Sequence, residues 1–218
     1  ADLHYLSFGI GKSNDIHAEN LSEDFRSFDV YCFGKLYTHV HLNVYGRHNV
    51  YNALAAAAAA YVMNVDGESV ALGLAGFTGA GRRMEFKGRF QGADIYDDYA
   101  HHPGELHALI DAVRTMGYKR VIVAFQPHTY TRTKALFDDF VRELKRVDVA
   151  VLAEIYAARE QNTIGISSRD LAAQIPGAVY FETLPEVAAH LRSIAREGDI
   201  ILTVGAGDIY KAGEMLLK

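Results

Sequence analysis

The sequence predicts an α/β fold whose larger part is a doubly wound, mostly parallel sheet. From residue 84 onward, short apolar runs alternate with helix-like segments, and the connections between them are short. Regular alternation of this kind indicates parallel strands joined by right-handed crossovers. The predicted strands are residues 84–90, 93–96, 120–125, 148–153, 178–181 and 199–204, and the predicted helices are residues 103–116, 131–145, 168–175, 184–196 and 207–217.

Residues 1–83 follow a different pattern and predict a separate domain. Runs rich in β-branched and aromatic residues predict strands, and six consecutive alanines, the best helix formers, favour a helix. The predicted strands are His4–Phe8, Asp29–Phe33 and Leu36–Val44, and the predicted helices are residues 47–63 and 67–77, the second capped by Asp66. Alternation in the third strand places Leu36 on the buried face and His39 and His41 on the solvent face. Glycines at 79 and 81 then break the pattern, and we place the domain boundary between residues 83 and 84.

Composition narrows the class of protein. The 218 residues are 50% hydrophobic and carry a net charge of −5, so a sizeable core is expected, and no global positive field favours nucleic acid or an anionic membrane. The single cysteine, Cys32, excludes an intramolecular disulfide, and its apolar neighbours predict a buried, unreactive thiol. No signal-peptide pattern is visible, and residues 50–65 are too short and polar for a membrane span, so a cytoplasmic protein is expected.

Two polar runs predict the functional site. Residues 97–103 and residues 125–133 each follow a predicted strand and precede a predicted helix, which is where ligands bind in open α/β sheets. In the first run, Asp98 suits a ribose hydroxyl or a Mg²⁺-bound group, and His101 and His102 can exchange protons near neutral pH. In the second run, His128 and Arg132 stand at the start of a helix, which favours a bound carboxylate.

Other motifs carry weaker signals. Asn49 and Asn52 share one face of the alanine-rich helix, and amide side chains can read the edge of a purine. The Arg82–Arg83 pair lies beside glycines, a common position for a guanidinium that contacts phosphate. Residues 205–208 predict a tight turn between a strand and a helix, and only weakly indicate a nicotinamide enzyme. Residues 8–13 end like a P-loop, but Leu6 stands where the motif needs its first glycine, so the sequence holds no complete Walker A motif.

Together, residues 46–49, Arg83, residues 97–103 and residues 125–133 resemble the Mur ligases, and the resemblance extends over nearly the whole chain. A Mur ligase has a UDP-sugar-binding N-terminal domain, a central ATPase domain with a P-loop, and a Rossmann-like C-terminal domain for the incoming amino acid. The resemblance implies that residues 1–83 are the C-terminal portion of the central ATP-binding domain and that residues 84–218 are the Rossmann-like, amino-acid-binding domain. It also implies that the intact enzyme needs ATP and Mg²⁺, whose P-loop and metal ligands lie outside this chain.

The reaction implied by the resemblance joins L-alanine to UDP-N-acetylmuramate through an acyl phosphate, in peptidoglycan synthesis, and this chain alone is expected to be inactive. The implied ATP contacts are Asn49, Asn52, Arg83 and Asp98, the implied catalytic residues are His101 and His102, and the implied alanine contacts are Tyr99, His128 and Arg132. Thr129 stands where many relatives have arginine, which removes one carboxylate-binding cation. The alternatives are a ligase that recycles a murein tripeptide and a non-catalytic module that binds a nucleotide or an amino acid.

Overall fold

The computed structural model describes residues 5–218. Contacts divide the chain into two compact units, each with its own sheet and its own apolar core. The first unit comprises the residues up to Gly79 together with Asp111–Met116, and the second comprises Ala80–Ile110 and Gly117–Lys218. The boundary between functional domains after residue 83 stays a prediction.

The first unit contains a four-stranded sheet. Its strands, in spatial order, are β1 (Phe8–Gly9), β2 (Ile16–Glu19), β3 (Ser27–Cys32) and β4 (Lys35–His41). The first two strands run parallel and the remaining pairs are antiparallel. The β3–β4 hairpin turns through Phe33 and Gly34, which both have positive φ, as a tight two-residue hairpin requires.

The strand predictions for this unit are only partly confirmed. His4 lies outside the described residues, and of the remainder of the predicted first strand only Phe8 is in β1. Strand β2 was not predicted, because its four residues are too few to show a period. His39 and His41 are exposed as predicted, but Leu36 is 60% exposed, beside a bulge that shifts the β3–β4 register.

Two helices complete the first unit, α1 (Arg47–Val62) and α2 (Gly67–Gly76). The buried residues of α1 follow helical spacing and belong to the core of this unit; they are Val50, Ala53, Leu54, Ala57 and Ala58. The predicted cap of α2 is confirmed, since the Asp66 carboxylate accepts the Ser69 N–H at 2.8 Å. Cys32 is 3% exposed, and burial raises its pKa to about 11, so the thiol is an unreactive core group.

The second unit contains the predicted doubly wound sheet. Its strands are β5 (Glu85–Phe90), β6 (Ala93–Asp98), β7 (Arg120–Phe125), β8 (Val149–Ala153), β9 (Val179–Phe181) and β10 (Asp199–Val204). The spatial order is β5-β6-β10-β7-β8-β9, and every pair is parallel except the β5–β6 hairpin. Every residue of β10 is buried, which is typical of a central strand with helices on both faces of the sheet.

Six helices lie between or after these strands along the chain. They are α3 (Pro103–Arg114), α4 (Tyr130–Ala135), α5 (Phe137–Leu144), α6 (Ser168–Ala173), α7 (Leu184–Ile194) and α8 (Tyr210–Leu216). The prediction of one helix over residues 131–145 is wrong, because Leu136 leaves the helical conformation at φ −114° and ψ 23°. No glycine or proline marks this break in the sequence.

Of the helices in residues 5–218, none combines the length and apolar character that crossing a bilayer requires.

Candidate functional site

The strand order of the second unit brings the two polar runs together. Strands β6, β10, β7 and β8 are neighbours in the sheet and run parallel, so their carboxyl ends meet at one edge. The segments that leave this edge are residues 99–102, 205–209, 126–129 and 154–156. The candidate site therefore forms within the second unit, outside the carboxyl ends of the strands.

Four rings line up across this edge. The His101 and His128 ring centroids are 6.1 Å apart, and Tyr99 lies edge-on to His101 at 5.4 Å. Tyr156, from the segment after β8, stacks on His128 at 5.7 Å with planes 19° apart. Sequence reasoning missed Tyr156 as a member of the site, because its partner is close only after the strands have paired.

The surroundings of His101 determine which ring nitrogen carries its hydrogen. The Nδ1 atom lies 3.0 Å from the Tyr99 carbonyl oxygen, which can only accept a hydrogen bond. The neutral ring therefore holds its hydrogen on Nδ1 and presents the lone pair of Nε2. His101 can thus accept a proton at Nε2.

Glu105, which sequence reasoning also missed, holds this histidine segment in place. Its Oε2 atom accepts the backbone N–H groups of His101 at 2.9 Å and His102 at 3.3 Å. Burial alone would raise the pKa of Glu105, but these N–H groups and the charges of His101 and Arg83 hold it below its ordinary value. Glu105 therefore remains a carboxylate that orients the segment.

The two adjacent histidines are separated by the structure. The ring of His102 is exposed, and its Nδ1 accepts the Gly104 N–H at 3.2 Å in the first turn of α3. Its ring is not in the row formed by Tyr99, His101, His128 and Tyr156. A catalytic role for His102 stays a prediction, and the geometry favours His101.

His128 and Arg132 contribute buried polar atoms that find no partner among the described residues. These atoms are Nδ1 of His128 and Nη1 of Arg132. Burial, then the charges of Arg132 and His101, lower the pKa of His128 below its ordinary value. Buried polar atoms in folded proteins are nearly always paired, so two unpaired ones in one loop and helix indicate room for a polar ligand group.

The loop that carries these two residues is held on both sides. Thr129 donates its N–H to the Tyr156 carbonyl at 3.0 Å, and Tyr156 donates its N–H to the Pro127 carbonyl at 2.9 Å. Glu160 accepts the N–H and the hydroxyl of Thr131, which keeps the pKa of Glu160 below its ordinary value. Thr129 has a φ of 67°, a strained conformation for a β-branched residue.

Gln126 fixes the turn between β10 and α8. Its Oε1 atom accepts the N–H groups of Asp208 at 2.9 Å and Ile209 at 3.1 Å. These N–H groups are the ones that a phosphate would need, which disfavours the nicotinamide alternative. A Cβ on Gly207 would collide with Oε1 of Gln126, so the turn requires glycine at this position.

The predicted ATP contacts of the second unit have different surroundings. Arg83 is exposed, whereas Asp98 is 5% exposed and accepts the N–H groups of Met84 and Ala100, each at 2.8 Å. Burial raises the pKa of Asp98 above its ordinary value, although the two N–H donors partly offset it. Asp98 thus binds the backbone beside Arg83, and its contact with ATP stays a prediction.

In the first unit, the two asparagines lie on one face of α1, as their spacing predicts. Asn52 is exposed and donates to the Asn49 side-chain oxygen at 3.0 Å, while Asn49 donates to the Tyr45 carbonyl at 2.8 Å. The Asn49 side chain is therefore already hydrogen-bonded at the start of the helix, and Asn52 is the more accessible amide.

Within residues 5–218, no three His, Cys, Asp or Glu side chains gather as metal ligands would.

Comparison with known protein families gives two matches along the chain. The model of the Mur ligase middle domain matches residues 1–60, and the model described as "Mur ligase, glutamate ligase domain" matches residues 82–207, more than half of the chain. The chain belongs to the Mur ligase family. The second match, over residues 82–207, includes His101, His128 and Arg132 of this Mur ligase chain.

Curated relatives of this Mur ligase chain share one name. The UDP-N-acetylmuramate–L-alanine ligases of Caldanaerobacter subterraneus subsp. tengcongensis and Clostridium acetobutylicum are 40% and 43% identical to it across 100% of its length. The crystal structure of UDP-N-acetylmuramate-alanine ligase MurC from Thermotoga maritima superposes with a TM-score of 0.81 at 27% identity, covering 97% of this chain and 47% of that one. The chain spans about half the length of the curated relatives it matches.

Proposed function

We propose that the intact protein containing this chain is an ATP-dependent UDP-N-acetylmuramate–L-alanine ligase of peptidoglycan synthesis. Residues 1–83 would end its central ATP-binding domain, and residues 84–218 would form its amino-acid-binding domain. The observation that carries the proposal is the gathering of His101, His128 and Arg132, with two unpaired buried polar atoms, at one sheet edge. The relatives that are 40% and 43% identical over the whole chain support the choice of substrates.

The carboxylate of L-alanine suits the unpaired atoms of His128 and Arg132. Arg132 would supply the positive charge, and His128, whose pKa is lowered first by burial, would donate from Nδ1 in the tautomer that carries its hydrogen there. One carboxylate would thus satisfy both atoms. Thr129 carries no charge, so the positive charge at this site comes from Arg132.

His101 suits the transfer of the proton that the amine must lose. The reaction forms the amide bond when the amino group of alanine attacks an acyl phosphate made from the UDP-N-acetylmuramate carboxylate and ATP, and the acyl–phosphate bond breaks. The attacking nitrogen must give up a proton in this step. The lone pair on Nε2 of His101 can take it, because Nδ1 is bound to the Tyr99 carbonyl. Tyr99, beside this ring, would restrict the space for the amino-acid side chain.

For ATP, the exposed groups of each unit are the best candidates. In the first unit, the Asn52 amide suits the adenine edge, with Asn49 holding it in place. In the second unit, the exposed Arg83 guanidinium suits phosphate oxygens, with Asp98 binding the adjacent backbone. Within residues 5–218, no three His, Cys, Asp or Glu side chains gather as ligands for Mg²⁺, and the metal requirement of the intact protein stays a prediction.

Substrate dependence of the intact protein tests the proposal. Phosphate release is measured with ATP, UDP-N-acetylmuramate and either L-alanine or a murein tripeptide, with the UDP-sugar omitted as the control. We expect release that requires both the UDP-sugar and L-alanine. Release with the tripeptide alone would assign the protein to tripeptide recycling, and ATP binding without turnover would indicate a non-catalytic module. A cytoplasmic location stays a prediction.

A further inference from the structure

The side chain of Arg82 is held by a set of bonds that its neighbour Arg83 does not share. Its Nε donates to Oδ2 of Asp97 at 2.8 Å, and its two Nη atoms donate to the carbonyls of Gly205 at 2.7 Å and Gly207 at 3.2 Å. Asp97 is 1% exposed and also accepts the Thr203 hydroxyl at 2.8 Å. Removing the guanidinium would leave a buried carboxylate without its cation, which is strongly destabilising.

Two tyrosine rings bracket the same guanidinium. The rings of Tyr99 and Tyr210 each have their centroid 4.9 Å from its central carbon, within cation–π range. Tyr99 follows β6 and leads to His101, and Tyr210 begins α8. Arg82 thus ties together the segments that leave β6 and β10.

The backbone on both sides of Arg83 is bound to the end of β6. The Arg82 carbonyl accepts the Tyr99 N–H at 2.7 Å, and the Met84 N–H donates to Asp98 at 2.8 Å. Arg82 and Met84 both have positive φ, 56° and 47°, so this turn is held against its local preference. Arg83 itself is exposed.

We propose that Arg82 is a positioning residue that fixes the backbone from which Arg83 reaches the nucleotide. The inference rests on the proposed function, in which Arg83 contacts the phosphates of ATP. The bonds need the planar fork of a guanidinium, because they reach a carboxylate and two carbonyls in different directions. Lysine keeps the charge but has a single terminal nitrogen, so Arg82→Lys tests the geometry rather than the charge.

The first measurement is hydrogen exchange of the intact protein without substrates. We expect Arg82→Lys to speed exchange of the Met84 and Tyr99 amides about tenfold, since these amides report the bound turn. The control is Arg89→Ala, which removes a guanidinium that pairs with Asp94 of β6 at an exposed position. Unchanged exchange in Arg82→Lys overturns the inference, whether or not the protein turns over ATP.

The second measurement separates positioning from a general loss of structure. We expect Arg82→Lys to raise the apparent KM for ATP about tenfold and to leave the KM for L-alanine within about twofold. In an Arg83→Ala background the effect of Arg82→Lys should vanish, because a residue that acts through another is not additive with it. Equal effects in both backgrounds, or equal shifts of both KM values, overturn the inference. Absence of turnover in the unsubstituted protein would refute the proposed function instead, and the exchange result would then decide the inference alone.

Discussion

At the scale of single residues, burial and then the charge of Arg132 lower the pKa of His128. The pKa of His128 lies below 6.5, the usual value for histidine, through burial and the neighbouring charges of Arg132 and His101. Removing one positive charge favours the imidazolium, so Arg132→Gln should raise this pKa. An NMR titration of the His128 ring measures it, with Arg192→Gln, which contacts Phe90 and the Met215 carbonyl, as the control. A pKa that falls or stays the same in Arg132→Gln would contradict the assignment.

The same low pKa makes folding pH-dependent in a defined direction. In the unfolded chain His128 binds its proton with the usual pKa of 6.5, whereas the folded protein resists protonation. As pH falls below about 6.5, protons therefore favour the unfolded state, and the contribution of His128 to the free energy of unfolding is lost.

Arg132 should also govern binding of the amino acid in the intact protein. Its Nη1 is buried and has no partner within residues 5–218, and a charge-assisted bond to a carboxylate is worth about 1.5–3 kcal/mol. We expect Arg132→Ala to raise the apparent KM for L-alanine by about tenfold to a hundredfold, for the same reason. Steady-state kinetics with varied L-alanine measures this, and Arg192→Ala is the matched control. An unchanged KM would remove Arg132 from the amino-acid site.

At this scale, sequence analysis identifies a functional residue when the pattern that marks it lies within a few neighbouring positions. The runs around His101 and His128 stand out because several polar groups follow an apolar strand, a pattern contained in a few consecutive residues. The contacts of Arg82 are not visible in this way, since its partners Gly205 and Gly207 lie 123 and 125 residues away. The Arg82–Arg83 pair is predicted as a pair, and only folding distinguishes the bound member from the exposed one.

At the scale of elements, the turn before α8 depends on glycine. Replacing Gly207 with alanine would place the new carbon against the buried Gln126 amide and the Tyr156 side chain, each closer than 3 Å. We expect Gly207→Ala to lower the free energy of unfolding by about 1–3 kcal/mol through this overpacking. Urea denaturation measures the loss. Gly104→Ala, in the first turn of α3 with no contact closer than 3.5 Å, is the control and should be tolerated. Equal stability of both variants would contradict this view of the turn.

The elements that sequence predicts well are those with their own signals. Helix α2 is predicted together with its Asp66 cap, and the strands of the second unit stand out as buried runs between helices. The break at Leu136 has no such signal, since residues 131–145 contain neither glycine nor proline. Helix α5 begins at Phe137 and buries Phe140, Val141 and Leu144. Packing of these side chains, rather than a local sequence signal, therefore determines where the helix restarts.

At the scale of the whole molecule, the chain should need the rest of a Mur ligase to act. The 218 residues contain no complete Walker A motif, the element that cradles the phosphates of ATP in the central domain of the family. We expect this chain alone to show no phosphate release dependent on L-alanine. The measurement uses ATP, UDP-N-acetylmuramate and L-alanine, with the intact protein as the positive control. Turnover by the chain alone would contradict the expectation that the reaction needs residues outside these 218.

The position of β10 also bears on how the protein is made. A ribosome releases β6 and β7 long before β10, yet β10 is the strand that lies between them. Until translation has passed Val204, the nascent chain holds two strand groups with open edges, a state that favours wrong pairing and capture by chaperones. The edge that carries His101 and His128 is therefore completed only by one of the last segments of these 218 residues to be translated.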